Sequence, residues 1–201
     1  NNVNQVIIGN SITPLYHAAK EGYDNIIQPL INKGAQVNQK GSHGNTLLHI
    51  AAYKGHKDTV TALINAAPQV ININATNNEG FTALHLAVAG ALEKENQSEQ
   101  EPYIDTAKIL LEKGANVNAK NDEGETPLHF ALYDDTVNQQ FVKLLVSYEA
   151  NIYAKDNNGN TPYGLAQEAS KEIRDIFAEL VVDQNLDDLA RSLQYMHGTI
   201  T

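Results

Sequence analysis

Thr126-Pro127-Leu128-His129-Phe130-Ala131 is the stretch whose reading decides the fold. Variants of the same phrase stand at Thr13-Pro14-Leu15-Tyr16-His17-Ala18-Ala19, Thr46-Leu47-Leu48-His49-Ile50-Ala51-Ala52, Thr82-Ala83-Leu84-His85-Leu86-Ala87 and Thr161-Pro162-Tyr163-Gly164-Leu165-Ala166. The threonines step by 33, 36, 44 and 35 residues. A repeat of this period marks a solenoid, in which no unit hides its apolar face alone. Within the phrase, threonine caps a helix and proline suits its first position. Small residues at Ala18, Ala51, Ala87 and Ala131 let neighbouring helices approach closely.

Working outward, each phrase is followed by a second apolar stripe at helical spacing. In the first unit it is Ile26, Ile27, Leu30 and Ile31, closed by Gly34 as a left-handed cap. Later stripes are Val60, Leu63 and Ile64; Ile109, Leu110 and Leu111; and Phe141, Val142, Leu144 and Leu145. Pro29 lies inside the second helix, which predicts a kink or a shortened helix. Glu149 stands where Gly34 and Gly114 stand in other units, which predicts a cap of changed shape. The third unit carries about 11 extra residues, an acidic stretch over 91–102 ending at Pro102. It reads as a mobile loop rather than a functional one.

The division that follows is an N-terminal cap or partial hairpin over 1–12, then units at 13–40, 41–77, 78–120 and 121–155. A degenerate capping unit covers 156–182, and an amphipathic helix or tail covers 183–201.

Cysteine is absent, which excludes disulfides, thiolate zinc sites and cysteine nucleophiles. No apolar run has the roughly 20 residues a membrane helix needs, and the chain begins at Asn1 with no secretory signal pattern. These features point to a cytoplasmic protein and to a piece of something longer. The net charge of −10 is uneven: residues 1–80 sum to +1 and residues 81–201 to −11. An acidic half argues against nucleic acid and favours a partner with a basic face, although plain solubility explains it as well. Asparagine occurs 23 times, which reads as compositional bias without mechanism.

Asn121-Asp122-Glu123-Gly124-Glu125-Thr126-Pro127-Leu128-His129-Phe130-Ala131 resembles the opening of an ankyrin repeat. Leu110-Leu111-Glu112-Lys113-Gly114-Ala115-Asn116-Val117-Asn118-Ala119-Lys120 resembles its ending. The likeness covers roughly residues 10–182. It departs from the family at two insertions (91–102, and three residues at Ala66-Ala67-Pro68-Gln69-Val70 in the second unit), at Pro29 and Glu149, and at Tyr16 and Gly164 where histidine is missing. The resemblance implies an all-α solenoid of stacked helix–turn–helix units with β-hairpin-like turns. It also implies a non-enzymatic module that binds another protein through hairpin tips and a concave face, with no cofactor.

His49, His85 and His129 recur at one position of successive units. Units stack about 10 Å apart, too far for one ion bound at about 2 Å. The resemblance implies instead that each bonds to nearby backbone and to its threonine. No Gly-x-Ser-x-Gly elbow and no Gly-x-x-x-x-Gly-Lys loop occurs. The adjacent acids Asp134-Asp135 and Asp187-Asp188 read as solvated charge.

Positions the fold does not need are the partner-binding candidates. On the turn tips these are Ser42, His43, Asn45, Asn78, Glu79, Phe81, Asp122, Glu123, Glu125, Asn157, Asn158 and Asn160. At the far ends of the first helices they are Tyr53, Lys54, Tyr133 and Asp134. Phe81, Tyr53 and Tyr133 have the character of interface anchors; packing of each ring on a neighbouring unit is the alternative. The expectation is a monomeric binding module that holds a partner across units two to four. The alternatives are a recruiting segment of a larger enzyme or of a secreted bacterial effector acting in host cytoplasm, and a structural spacer.

Overall fold

The computed structural model describes residues 3–4, 13–133 and 139–180. Helices pair within each unit: α1 (Pro14–Glu21) with α2 (Asp24–Asn32), α3 (Leu47–Tyr53) with α4 (Lys57–Ala66), and α5 (Ala83–Leu92) with α6 (Gln97–Glu112). The short α7 (Pro127–Phe130) pairs with α8 (Gln139–Ser147), and α9 (Pro162–Glu168) precedes a helical run over 171–180. First helices touch first helices along the chain, and second helices touch second helices through α8. The result is a two-layer solenoid whose core is continuous from Leu15 to Phe177. Ala18, Ala51, Ala87 and Ala131 are buried where the first helices meet.

The threonine–histidine pair begins each central unit. The backbone N–H of Thr46, Thr82 and Thr126 donates to Nδ1 of His49, His85 and His129, at 3.2, 3.2 and 3.1 Å. An accepting Nδ1 leaves the ring proton on Nε2. That nitrogen donates into the next unit, to the carbonyls of Phe81, Glu125 and Asn160 at 2.8, 3.1 and 3.3 Å. One side chain therefore caps its own helix and bonds to its neighbour, and all three rings are buried.

Turn tips, here called fingers, form a second ladder. Asn78, Asp122 and Asn157 donate their backbone N–H groups to the carbonyls of His43, Glu79 and Glu123, at 2.9, 3.1 and 2.9 Å. Gly80 shows why glycine recurs at the tip: its φ is +79°, and a Cβ would meet the Asp122 nitrogen at 2.6 Å. The head of each later finger is held by one side chain. Oδ1 of Asn77, Asn121 and Asp156 accepts two backbone N–H groups of its own turn. Burial raises the Asp156 pKa, but bonds from the Asn160 side chain and backbone and from the Asn158 backbone hold it below its ordinary value.

Asparagine forms a third ladder under the fingers. Asn74 bonds to the Gly114 carbonyl and to the Asn116 N–H, at 3.2 and 2.7 Å. Asn118 does the same to Glu149 and Asn151, at 3.1 and 2.7 Å, and Asn4 to Gly34 and Gln36, both at 2.9 Å. The asparagine content therefore has a mechanism that composition alone concealed.

Several expectations are corrected. Helix α2 runs through Pro29 to Asn32 and is as long as α8; the ring sits on its exposed face. Glu149 keeps the cap shape rather than changing it, with φ +64° and the Ala150 N–H on the Leu145 carbonyl, as Ala115 bonds to Leu110. The stretch 91–102 is mostly helix, not loop: α5 extends to Leu92 and α6 starts at Gln97. Its Glu, Gln and Lys are good helix formers, Asn96 has N-cap geometry, and Gln100 and Tyr103 are buried. Near its start α6 packs over Gly55, whose added Cβ would lie 3.3 Å from Pro102. Only residues 3–4 of the expected N-terminal cap are described, and Asp134, Asp135, Asp187, Asp188 and the tail 183–201 lie outside the described residues.

The first finger departs from the others in a coupled way. Tyr16 takes the histidine position, and Gly41 takes the position of Asn77 and Asn121. A Cβ on Gly41 would lie 2.4 Å from Tyr16 Cε2. The ring fills the space that a finger-head side chain needs.

Three outcomes follow from this architecture. Gly41→Asn alone should destabilise by about 1–3 kcal/mol, and adding Tyr16→His should recover most of that loss, a non-additivity read by urea unfolding of the single and double variants. Glu149→Gly should raise stability by about 0.5–1 kcal/mol by relieving the left-handed strain, seen as a higher melting temperature. Burial drives the His85 pKa from 6.5 down to about 4, against the smaller opposing effect of its bond to the Glu125 carbonyl. Below pH 6.5 the unfolded chain takes up a proton that the folded chain refuses, so stability is full above that value and falls toward pH 4. Between pH 7 and pH 5 the loss from His85 is about 2 kcal/mol. His49 and His129, also lowered by burial, add to it. Urea midpoints across this range should slope less in His85→Gln; equal slopes would contradict this account.

Candidate partner-binding site

The solvent face of the first helices and the inner side of the fingers enclose a groove of about 470 Å³ across units one to three. Ile50 and Leu86 form its floor with Phe81; both helix residues follow the recurring histidine by one, so they face the groove when that histidine faces the fingers. Tyr53, Lys20 and Lys54 line the side at the helix ends, and Tyr16, His43, Asn45 and Glu79 line the finger side.

Toward units three and four the surface becomes aromatic. Phe81 and Phe130 meet edge to face at 5.3 Å, His85 lies 5.8 Å from Phe81 and 6.0 Å from Phe130, and Tyr133 stands 5.8 Å from Phe130. Tyr133 keeps 48% of its surface exposed, while its hydroxyl donates to Glu125 at 2.6 Å. Partial burial, and then the bond to Glu125 and its charge, push the Tyr133 phenol above its ordinary range. Tyr53 donates to Glu93 at the end of α5. That bond, with burial and the Glu93 and Tyr103 charges, pushes its phenol to about 12. Both phenols are protonated donors at neutral pH.

The structure separates the expected residues into three groups. Ser42, Asp122, Glu123 and Asn158 are exposed tip side chains, and Lys54 is exposed with its amine 5.3 Å from the Tyr53 ring. Asn45, Asn157, Asn160 and Glu125 are used by the array itself. Asn45 accepts from Asn77, Asn157 donates to the Asp122 carbonyl, Asn160 donates to Asp156, and Glu125 holds Asn121 and Tyr133. Asn78 serves through its backbone. Phe81 and Tyr53 are half-buried, Phe81 bridging units three and four, so packing on a neighbour applies to both. Glu79 approaches His43, itself at φ +58°, to 3.6 Å across two exposed tips. Asp134 lies outside the described residues.

Sequence reasoning missed Tyr16, Lys20, Ile50, Leu86 and Phe130. The signal was present: Ile50, Leu86 and Phe130 fall four residues after the capping threonine, and Lys20, Tyr53 and Tyr133 fall seven after it. Offsets of four and seven lie on one helix face. Among the described residues no group of three or more metal-ligating side chains is assembled, and no helix is long and apolar enough to cross a membrane.

Known proteins place these features in a family. A model described as ankyrin repeats (3 copies) matches residues 15–121 and 98–188. NF-kappa-B inhibitor zeta of Homo sapiens is 37% identical over 109 residues, covering 45% of this chain and 15% of that protein. A putative ankyrin repeat protein of fowlpox virus is 39% identical over 85 residues, covering 42% of this chain and 24% of its own. The nuclear factor NF-kappa-B p105 subunit of Rattus norvegicus is 33% identical over 76 residues, 38% of this chain and 8% of that one. The chain thus spans less than a quarter of the length of each of these relatives. With that model matching most of a chain that carries the repeated threonine–histidine cap, the paired helices and the bonded fingers, this chain belongs to the ankyrin-repeat family.

Proposed function

We propose that the array is a non-enzymatic binding module that holds a partner protein across units two to four. The partner would lie against the inner face of the first helices, with the finger tips as a rim. Ankyrin repeats are protein–protein interaction modules, and the relatives named above include an inhibitor and a subunit of NF-kappa-B. The observation that carries the assignment of the face is the row Phe81–Phe130–Tyr133. Three rings converge on one open surface, and the outermost stays half exposed beside Glu125. Aromatic rings with a polar tip anchor interfaces at low entropic cost. Asp122 and Glu123 add negative charge at the same end, which favours a partner with a basic face.

A second reading, a recruiting segment of a larger protein, is supported by relatives of which the match covers 24% or less. Its bacterial-effector form draws no support from those relatives, which are mammalian and poxvirus proteins.

The test uses a random displayed-peptide library selected on the purified protein. Selected peptides should lose about tenfold or more in affinity for a variant carrying Asp122→Ala, Glu123→Ala and Tyr133→Ala. Its melting temperature should stay within roughly 2 °C of the parent. Phe81 is left intact because its ring packs between units. Unchanged affinity in that variant would place the binding surface elsewhere.

A further inference from the structure

Charge of opposite sign stands at the unit-one and unit-two end of the groove and on unit four, beyond its other end. At the unit-one and unit-two end, Lys20 closes α1 and Lys54 caps α3, and both line the groove. Lys20 reaches only its neighbour Glu21, at 4.0 Å on the exposed edge. Among the described residues no carboxylate pairs with Lys54, whose amine is turned over the Tyr53 ring. Beyond the other end, on unit four, where the surface continues through Phe81, Phe130 and Tyr133, Asp122 and Glu123 are exposed on their finger, Glu125 faces Tyr133, and no lysine or arginine among the described residues pairs with any of the three. Between the ends lies the apolar floor of Ile50, Leu86 and Phe81.

We propose that the groove binds an extended peptide in one direction only, with an acidic side chain over Lys20 and Lys54, an apolar side chain on Ile50 and Leu86, and a basic side chain at Asp122 and Glu123. The inference rests on the groove being the binding face and adds the chemistry and polarity of its occupant. The charges cannot satisfy each other: Asp122 and Glu123 sit two units from Lys54 and three from Lys20, roughly 20 and 30 Å at helix-packing distance. An extended chain covers those spans in about six and about nine residues. Reversed binding would set like charges against each other at both ends, which gives the groove a direction as well as an affinity. Lysine at a helix end also offsets the helix dipole, so the experiment has to separate that local role from recognition.

The probe is the set of peptides selected above. They should carry an acid and a base about six to nine residues apart, always in the same order, around an apolar residue. Lys20→Glu with Lys54→Glu should weaken them by about tenfold or more, and replacing the peptide's acid by lysine should restore binding to that variant. A dipole role alone gives no such rescue. Affinity should also fall between about 50 mM and about 500 mM salt. Peptides that lose affinity for the Asp122, Glu123 and Tyr133 variant but show no charge order, or no rescue, overturn this inference and leave the groove reading standing. Peptides indifferent to both variants, or a library with no enrichment, overturn both. Concentration-dependent self-association in sedimentation that Lys54→Glu abolishes would make a second copy the occupant and overturn the peptide.

Discussion

The bond from each histidine Nε2 to the carbonyl of the following unit is the contact on which the rest of the array depends. It is buried, and it is made by a ring whose other nitrogen is already committed to its own helix cap. Loss of either partner leaves a polar group without water, which costs about 1–3 kcal/mol. The bond also fixes rotation: a unit turned on its axis could not cap its helix and reach the neighbouring carbonyl together. Apolar burial supplies the attraction between units, and the directional bonds set their register.

Where the histidine is missing, the array finds other means. The first unit puts a tyrosine ring in the histidine position and removes the side chain of the next finger head to make room. In the last described unit Gly164 replaces histidine, and Thr161 caps the helix alone through the Gly164 N–H at 3.1 Å. A unit with fewer inter-unit bonds suits an end of the array, where fewer neighbours demand them. The third unit differs again, since its extra residues lengthen both helices and bring Glu93 to Tyr53 and Pro102 to Gly55. That extension adds contacts between units two and three.

Backbone, histidine and asparagine ladders hold the units from the finger side, and on the inner face of the first helices the Tyr53–Glu93 bond adds one more link. That face collects Tyr53, Lys54 and Tyr133, with Phe130 and Leu86 behind them. Many finger residues are less free than their exposure suggests. Asn45, Asn157 and Asn160 bond within the ladder, and Glu125 is divided between Asn121 and Tyr133. The proposed binding surface and the scaffold therefore share residues at the fingers.

The sequence alone determined the family, the two helices of each unit and the threonine that starts them. These follow from period and local propensity, which neighbouring residues encode without help from distant ones. It also marked the helix ends Tyr53, Lys54 and Tyr133 as surface. Only the tertiary structure decided the rest. The asparagines of residues 74 and 118 looked like bias because their partners lie 40 and 31 residues away. Residues 91–102 looked like loop because their burial of Gln100 and Tyr103 becomes visible only once α6 packs beside α4. Glu149 kept its strained cap because the Asn118 side chain bonds to its carbonyl from the preceding unit. In each case the deciding partner sits one repeat away, at a distance that local sequence does not express.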